Sequence, residues 1–216
     1  MKTKVFGIGF HKTGTTSLAK ALAILGYRVT GPNGVGDPEI ARNVYAMAFD
    51  LANKFDAFQD NPWPILYREL DKEFPNSKFV LTIRPTSAWI KSVENHFGEE
   101  DTPMRRWIYG VGHPRGNEAI YTERYERHNR EVVEYFSGRD KDLLILDVTR
   151  GEGWEKLCLF LEVPIPSVSF PCANTASIRE VERKRESSWV WRARIKVERR
   201  ARTLLGSRLS RVPRLD

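Results

Sequence analysis

The 216-residue chain has few of the features that mark several large protein classes. Its two cysteines, Cys158 and Cys172, are too few for a disulfide framework. No stretch approaches the ~20 apolar residues of a membrane-spanning helix, and the apolar run after Lys4 is too short for a secretory signal peptide. No Cys/His cluster has metal-ligand spacing. These absences argue against a secreted disulfide-rich domain, a membrane-spanning protein and a zinc module, and they predict a cytoplasmic location.

The charge of the chain is unevenly distributed. Hydrophobic residues make up 41% of the sequence, which is typical of a folded globular domain. The net charge is +7, but residues 179–216 hold 13 Lys/Arg against 5 Asp/Glu, and the rest of the chain holds 22 against 23. We therefore predict one folded domain over residues 1–178 and a basic, helical extension over residues 179–216.

The basic extension supports two interpretations. Its tryptophans and leucines among many arginines would suit a helix lying on an anionic membrane surface, which would make the protein peripheral to the membrane. The alternative, which we favour, is an arginine-rich helix that packs one face on the domain and exposes the other. No nucleic-acid-binding module is recognisable, so no nucleic-acid partner is expected.

The segment VFGIGFHKTGTTSL, residues 5–18, predicts a phosphate-binding loop. An apolar run breaks at Gly9, a loop follows, and Thr15, Thr16 and Ser17 open an apolar-periodic segment. In a strand, loop and helix of this kind, the unpaired amides of the first helical turn point at an anion, and nearby hydroxyls add donors.

The position of the lysine separates this loop from that of ordinary nucleotide triphosphatases. The ATP/GTP loop reads G-x-x-x-x-G-K-[ST]. Gly9 and Gly14 have that spacing, but Thr15 stands where the lysine is expected, and Lys12 lies inside the loop. The segment therefore indicates phosphate binding and argues against an NTPase.

The rest of the domain alternates strand and helix patterns. Strands are predicted near residues 5–10, 27–30, 55–59, 78–83 and 143–147, with helices between them and a loop-like segment over 98–117. One of the helices should have Asp37 as its N-cap, and another should span Trp63–Phe74. This order predicts an α/β protein with a three-layer P-loop fold, in which helices flank a central parallel sheet. Ligands bind at the carboxyl ends of such strands. His11–Gly14, Asp60 and Arg84 follow predicted strands and should therefore converge on one site.

A second anion site is suggested by the segment RPTSAWIKS, residues 84–92. Arg84 leaves the clearest predicted strand, and Ser92 lies two turns into the next helix. The guanidinium offers a planar fork of donors and the serine offers a hydroxyl, so the pair could bind one phosphate from two sides. Taken alone, the pair is more typical of an arginine paired with a carboxylate at the top of a helix and of a surface serine.

Together, the two motifs resemble those of the sulfotransferases that use 3′-phosphoadenosine 5′-phosphosulfate (PAPS). That family carries a K-x-G-T-T loop for the 5′-phosphosulfate, matched by KTGTT at residues 12–16, and an Arg and a Ser eight residues apart for the 3′-phosphate, matched by Arg84 and Ser92. The segments DNPWPILYRELDKEFPNSKFVLTIRPTSAWIKSV and LLILDVTRGEGWEKLCLFLEVPIP also resemble a branch of the family distinct from the cytosolic steroid and phenol enzymes. The resemblance covers about residues 1–178.

The resemblance implies transfer of a sulfuryl group from PAPS to a hydroxyl or amine, with adenosine 3′,5′-bisphosphate as the product. Lys12 would act in catalysis, and no metal would be required. The implied cofactor-binding residues are Lys12, Thr13, Gly14, Thr15, Thr16, Ser17, Arg84 and Ser92. Ser17 also replaces the tryptophan that stacks on adenine in the cytosolic enzymes, which leaves the adenine contact unassigned.

A hydroxyl acceptor needs a general base. The related enzymes place a histidine or carboxylate after the third strand, where this chain has Asp60. The alternative for Asp60 is a helix cap before Pro62. His11 is the next candidate, either catalytic or structural. The remaining histidines rank lower, and His128 is expected on a charged, solvated helix face.

The acceptor is expected to be a small molecule or a glycan, bound near residues 31–36 and 99–117. Two other functions stay open. The chain could be a P-loop kinase of nucleotides or small molecules, although it lacks Gly-Lys-[ST]. It could also be a non-catalytic nucleotide-binding protein of the same fold.

Overall fold

The computed structural model describes residues 2–172. The predicted domain boundary at residue 178 and the basic extension over 179–216, with both interpretations of that extension, lie outside the described residues. None of the helices within residues 2–172 is long and apolar enough to cross a membrane.

Strands and helices alternate along the described residues. The strands are Val5–Gly7 (β1), Val29–Thr30 (β2), Ala57–Phe58 (β3), Lys78–Thr82 (β4) and Leu143–Leu146 (β5). The α-helices are Thr15–Ile24 (α1), Ile40–Lys54 (α2), Tyr67–Glu73 (α3), Thr86–Phe97 (α4), Pro103–Tyr109 (α5), Glu118–Tyr135 (α6) and Trp154–Leu161 (α7). Short 3₁₀ helices lie at Trp63–Ile65 and Val148–Arg150.

The strands form one parallel sheet in the order β2-β3-β1-β4-β5. Side chains alternate across it, as the period of a strand requires. Val5 packs with α1 and α7 on one face, and Phe6 packs with residues of α2 to α6 on the other. The predicted three-layer α/β fold is confirmed, and burial of both faces explains why the strands read as continuous apolar runs.

One helix lies where the sequence predicted a loop. The glycines within residues 98–117 suggested irregular structure, but α5 occupies part of that segment. The hydroxyl of Thr102 accepts a hydrogen bond from the N–H of Arg105 at 3.2 Å, and Pro103 takes the first helical position. A threonine cap followed by proline is a helix-start signal that outweighs the surrounding glycines.

Two helices start later in the chain than the sequence predicted. The helix expected from Trp63 begins as the 3₁₀ turn Trp63–Ile65, and α3 starts only at Tyr67. Asp37 was expected to cap α2, but its carboxylate accepts from the N–H of Glu39 at 2.9 Å within a preceding turn, and α2 starts at Ile40.

The end of β1 lies unusually close to the end of β4. A Cβ on Gly9 would stand 2.1 Å from Oγ1 and 2.3 Å from the carbonyl oxygen of Thr82. Because part of this obstacle is backbone, no side-chain rotation could relieve it. Glycine at this position therefore lets the loop that leads to α1 leave β1 while in contact with β4.

We expect Gly9→Ala to lower the free energy of unfolding by about 1–3 kcal/mol, the usual cost of overpacking a core. Urea unfolding measures the change. Gly36→Ala is the matched control, because a Cβ there would have no atom within 4 Å. A Gly9→Ala protein as stable as the control would show that the sheet adjusts at this point.

Candidate active site

Three loops meet at the carboxyl edge of the sheet. Because β1 lies between β3 and β4, the loops that follow these strands are neighbours. They carry Lys12, Asp60 and Arg84, respectively. The convergence expected from the order of the strands is therefore what the structure shows.

The loop between β1 and α1 leads into a helix whose N-cap residue, Gly14, provides no side-chain cap. Lys12 and Gly14 adopt positive φ angles of 67° and 104°, which turn the chain sharply into α1. No side chain caps the first turn of α1, and that turn contains no acidic residue. Glycine at the N-cap offers no side-chain oxygen to this helix start, and the absence of a carboxylate from its first turn suits it to an external anion.

Thr13 holds the shape of this loop. It is fully buried, and its hydroxyl donates to the carbonyl of Phe10 at 2.5 Å. The hydroxyls of Thr13 and Thr82 lie 2.6 Å apart. The side chain of Thr13 thus ties the loop to β4, and a contact between this residue and a cofactor stays a prediction.

Thr15, Thr16 and Ser17 form the first turn of α1, as predicted. Thr15 and Ser17 are buried, and Thr16 is partly exposed. The hydroxyl of Thr15 donates to Oδ2 of Asp60 at 3.0 Å. This bond joins the start of α1 to the loop that follows β3.

Asp60 lies beside the loop between β1 and α1 in a left-handed conformation, with φ of 63°. Its Oδ1 accepts from the N–H of Asn61 at 2.8 Å. Burial raises the pKa of the carboxyl, while the bonds from Asn61 and Thr15 and the charge of Lys12 act in the opposite direction. The capping alternative is not supported, because no side chain caps the 3₁₀ helix that starts at Trp63.

Arg84 and Ser92 lie on the other side of the loop. Nη1 of Arg84 donates to the carbonyl of Lys12 at 3.3 Å, which places the guanidinium against the loop backbone. Ser92 lies on the buried face of α4, one turn after Trp89. The structure thus places Arg84 against the loop. Ser92 lies on the same face of α4 as Trp89, whose indole N–H donates to a carbonyl of that loop.

His11 is enclosed at the base of the loop. Its Nδ1 lies 3.2 Å from the amide nitrogen of Asn61, and its Nε2 lies 3.2 Å from the hydroxyl of Tyr109. Burial, reinforced by the charges of Arg105 and Lys12, lowers the pKa of His11 to about 3. The imidazole is therefore neutral with both nitrogens engaged, which favours the structural alternative over the predicted role as a base.

The expectation for His128 is wrong. Only 1% of this residue is exposed, and its Nε2 lies 2.7 Å from the carbonyl of Ile8. The ring stacks on Phe10 at 4.4 Å between centroids. The prediction failed because the residues next to His128 in the sequence are charged, whereas the buried face of α6 follows helical spacing. The residues on that face are Tyr121, Tyr125, His128 and Val132.

The sequence analysis also missed Trp89 and Tyr125. The indole N–H of Trp89 donates to the carbonyl of His11 at 2.9 Å, and the hydroxyl of Tyr125 bonds to the backbone of Arg84. The buried stripe of α6 could have indicated Tyr125, and Trp89 stands inside the predicted Arg84–Ser92 motif.

Comparison with known proteins identifies the class of the chain. A family model described as a sulfotransferase domain matches residues 4–115 and 102–178. The chain therefore belongs to the sulfotransferase domain family, and the family predicted from the two motifs is confirmed. The chain is also 26% identical over 223 residues to the Ava biosynthesis cluster protein M of Aspergillus versicolor, over 82% of this chain and 83% of that protein.

The buried histidines predict a loss of stability in acid. Burial lowers the pKa of both His11 and His128 to about 3, from an ordinary value of 6.5. Below about pH 6.5 the unfolded state binds more protons, so the free energy of unfolding should fall as the pH falls, by up to about 1.4 kcal/mol per pH unit for each histidine.

Urea unfolding between about pH 7 and about pH 5 checks this dependence. The variant His128→Gln should roughly halve the slope, because one of the two groups is gone. Equal stability at both ends of the range would contradict the burial of neutral imidazoles.

Proposed function

We propose that this sulfotransferase-family protein transfers a sulfuryl group from PAPS to a hydroxyl or amine of a small molecule or glycan. The observation that carries the proposal is the contact of Arg84 with the backbone of Lys12, because it sets a second anion-binding side chain beside the phosphate loop. Two adjacent anion sites suit a nucleotide with phosphates on both its 5′ and 3′ positions.

The described residues fit such a donor. The uncapped start of α1, with Gly14, Thr15 and Thr16, would hold the 5′-phosphate through backbone amides and hydroxyls. Arg84 would bind the 3′-phosphate with its guanidinium, assisted by Ser92. When bound, PAPS supplies an SO₃ group attached to a phosphate leaving group.

Lys12 would stabilise the charge that develops on the departing phosphate. Sulfuryl transfer, like phosphoryl transfer, depends mostly on positioning and on stabilising charge in the transition state. The positive φ of Lys12 sets this residue inside the turn, three residues before Thr15, where α1 starts. A lysine there suits a donor that has no γ-phosphate.

Asp60 would take the proton of the acceptor hydroxyl. The acceptor oxygen would then form its bond to sulfur while the bond between sulfur and the 5′-phosphate oxygen breaks, releasing adenosine 3′,5′-bisphosphate. Oδ2 of Asp60 accepts from Thr15 and Oδ1 accepts from Asn61, and these two bonds use two of the four lone pairs of the carboxylate. Because burial raises its pKa, Asp60 is a stronger base than an exposed carboxylate.

The acceptor would bind beside the turn at residues 31–36 and the segment at residues 99–117. The N–H of Met104 bonds to the carbonyl of Val35 at 3.4 Å, so the two segments adjoin. The N–H of Asn33 bonds to the carbonyl of Asn61 at 2.9 Å, which ties the turn to the loop that carries Asp60. The name of the fungal relative, a biosynthesis cluster protein, supports a small-molecule acceptor.

The proposal predicts that the full chain binds adenosine 3′,5′-bisphosphate at least ten-fold more tightly than AMP or ATP, because only the bisphosphate occupies both anion sites. Calorimetric titration measures the three affinities. Arg84→Gln should reduce the affinity for the bisphosphate to that for AMP. Equal affinity of the unaltered chain for AMP and the bisphosphate would refute the proposal, and preferential binding of ATP with Mg²⁺ would favour a kinase.

Lys12→Ala should slow sulfuryl transfer by about 10²-fold or more, with a much smaller effect on the affinity for adenosine 3′,5′-bisphosphate, since its charge is needed most in the transition state. Release of the bisphosphate from PAPS, with water or an added alcohol as acceptor, gives the rate. A rate that barely changes would remove Lys12 from the chemistry and favour a non-catalytic protein.

Asp60→Asn should lower the rate with the same acceptors by about 10²-fold and leave bisphosphate binding nearly intact, because asparagine keeps an oxygen for Thr15 but cannot accept the proton. The rate and the calorimetric affinity are measured side by side. If only the affinity falls, Asp60 orients Thr15 and is not the base.

A further inference from the structure

Trp89 and Tyr125 form a stacked pair beneath the two anion sites. Trp89 lies on α4 and Tyr125 on α6, and both are buried. Their ring centroids are 4.1 Å apart, with an interplanar angle of 10°. Stacking of this kind holds two rigid side chains in one relative position.

Tyr125 fixes the backbone of Arg84 from both sides. Its hydroxyl accepts from the N–H of Arg84 at 3.0 Å and donates to the carbonyl of the same residue at 2.8 Å. Arg84 follows the end of β4 and is not part of the sheet or of α4. Tyr125 therefore supplies the partners that secondary structure does not provide to this backbone.

Trp89 fixes the phosphate loop. Its indole N–H donates to the carbonyl of His11 at 2.9 Å. Because the peptide bond is planar and trans, this contact also directs the N–H of Lys12 to the side opposite Trp89. The orientation of one loop amide thus depends on a side chain of α4.

We propose that Trp89 and Tyr125 are positioning residues: Tyr125 sets the place of Arg84 and thereby the preference for a nucleotide with two phosphates, and Trp89 sets the shape of the loop that binds the 5′-phosphate of either nucleotide. The inference rests on the proposed function. Tyr125 holds the backbone of Arg84, which would bind the 3′-phosphate. Trp89 holds the backbone of the loop that would bind the 5′-phosphate. The stacked rings connect the two contacts through a rigid path.

Two conservative substitutions test the two contacts separately. Tyr125→Phe removes the hydroxyl and keeps the stacked ring, and Trp89→Phe removes the N–H and keeps an aromatic ring. Tyr121→Phe is the matched control. Tyr121 lies one turn earlier on α6, is buried and stacks on Tyr109 at 3.8 Å, but its hydroxyl has no hydrogen-bond partner among residues 2–172.

Calorimetric titration of the full chain with adenosine 3′,5′-bisphosphate and with AMP gives the readout. Tyr125→Phe should weaken bisphosphate binding about ten-fold and AMP binding less than about two-fold, because it leaves the N–H and C=O of Arg84 without partners. Trp89→Phe should weaken both nucleotides by a similar factor. Tyr121→Phe should change neither.

Loss of thermal stability in Tyr125→Phe with an unchanged affinity ratio would overturn the inference, as would an equal effect of Tyr121→Phe. If Tyr125→Phe does not fold, Trp89→Phe decides: unchanged affinities for both nucleotides overturn the inference, and weakened binding of both supports it. An unaltered chain without preference for the bisphosphate would instead refute the proposed function, and the inference with it.

Discussion

The close contact between the ends of β1 and β4 is the constraint on which the site depends. Gly9 allows Thr82 to approach the start of the loop, and the hydroxyl of Thr82 meets that of Thr13 inside it. Because β4 also leads directly into Arg84, the same contact fixes the loop relative to the guanidinium of Arg84. A larger residue at Gly9 would separate the two strands where the site requires them to touch.

Positive groups and a carboxyl lie side by side at this edge of the sheet. The start of α1, Lys12 and Arg84 contribute positive potential, which under the proposed function would attract the phosphates of the nucleotide. Asp60 places a carboxyl beside them, bonded to the first hydroxyl of α1. A carboxylate in this place would oppose the proposed phosphate binding, and its proposed task of accepting a proton would account for its presence. His11 adds no charge, since burial lowers its pKa to about 3.

The sequence predicted those parts of the site that are local. The loop at residues 9–17 and the pair Arg84 and Ser92 each lie within one strand, turn and helix, so spacing alone reveals them. The parallel sheet followed from the alternation of strands and helices. The burial of His11 and His128 could not be predicted from spacing. It depends on neighbours such as Tyr109 and Ile8, which are about a hundred residues away in the chain. The contact of Tyr125 was not predicted for the same reason, because its hydrogen-bond partner Arg84 lies in a distant segment of the chain.

A crystal structure of the full chain with adenosine 3′,5′-bisphosphate tests the central claim most directly. The account predicts the 5′-phosphate at the start of α1, within hydrogen-bonding distance of Lys12 and Thr15, and the 3′-phosphate on the guanidinium of Arg84 and the hydroxyl of Ser92. A nucleotide bound with its 3′-phosphate in solvent, or with neither phosphate at the loop between β1 and α1, would contradict it.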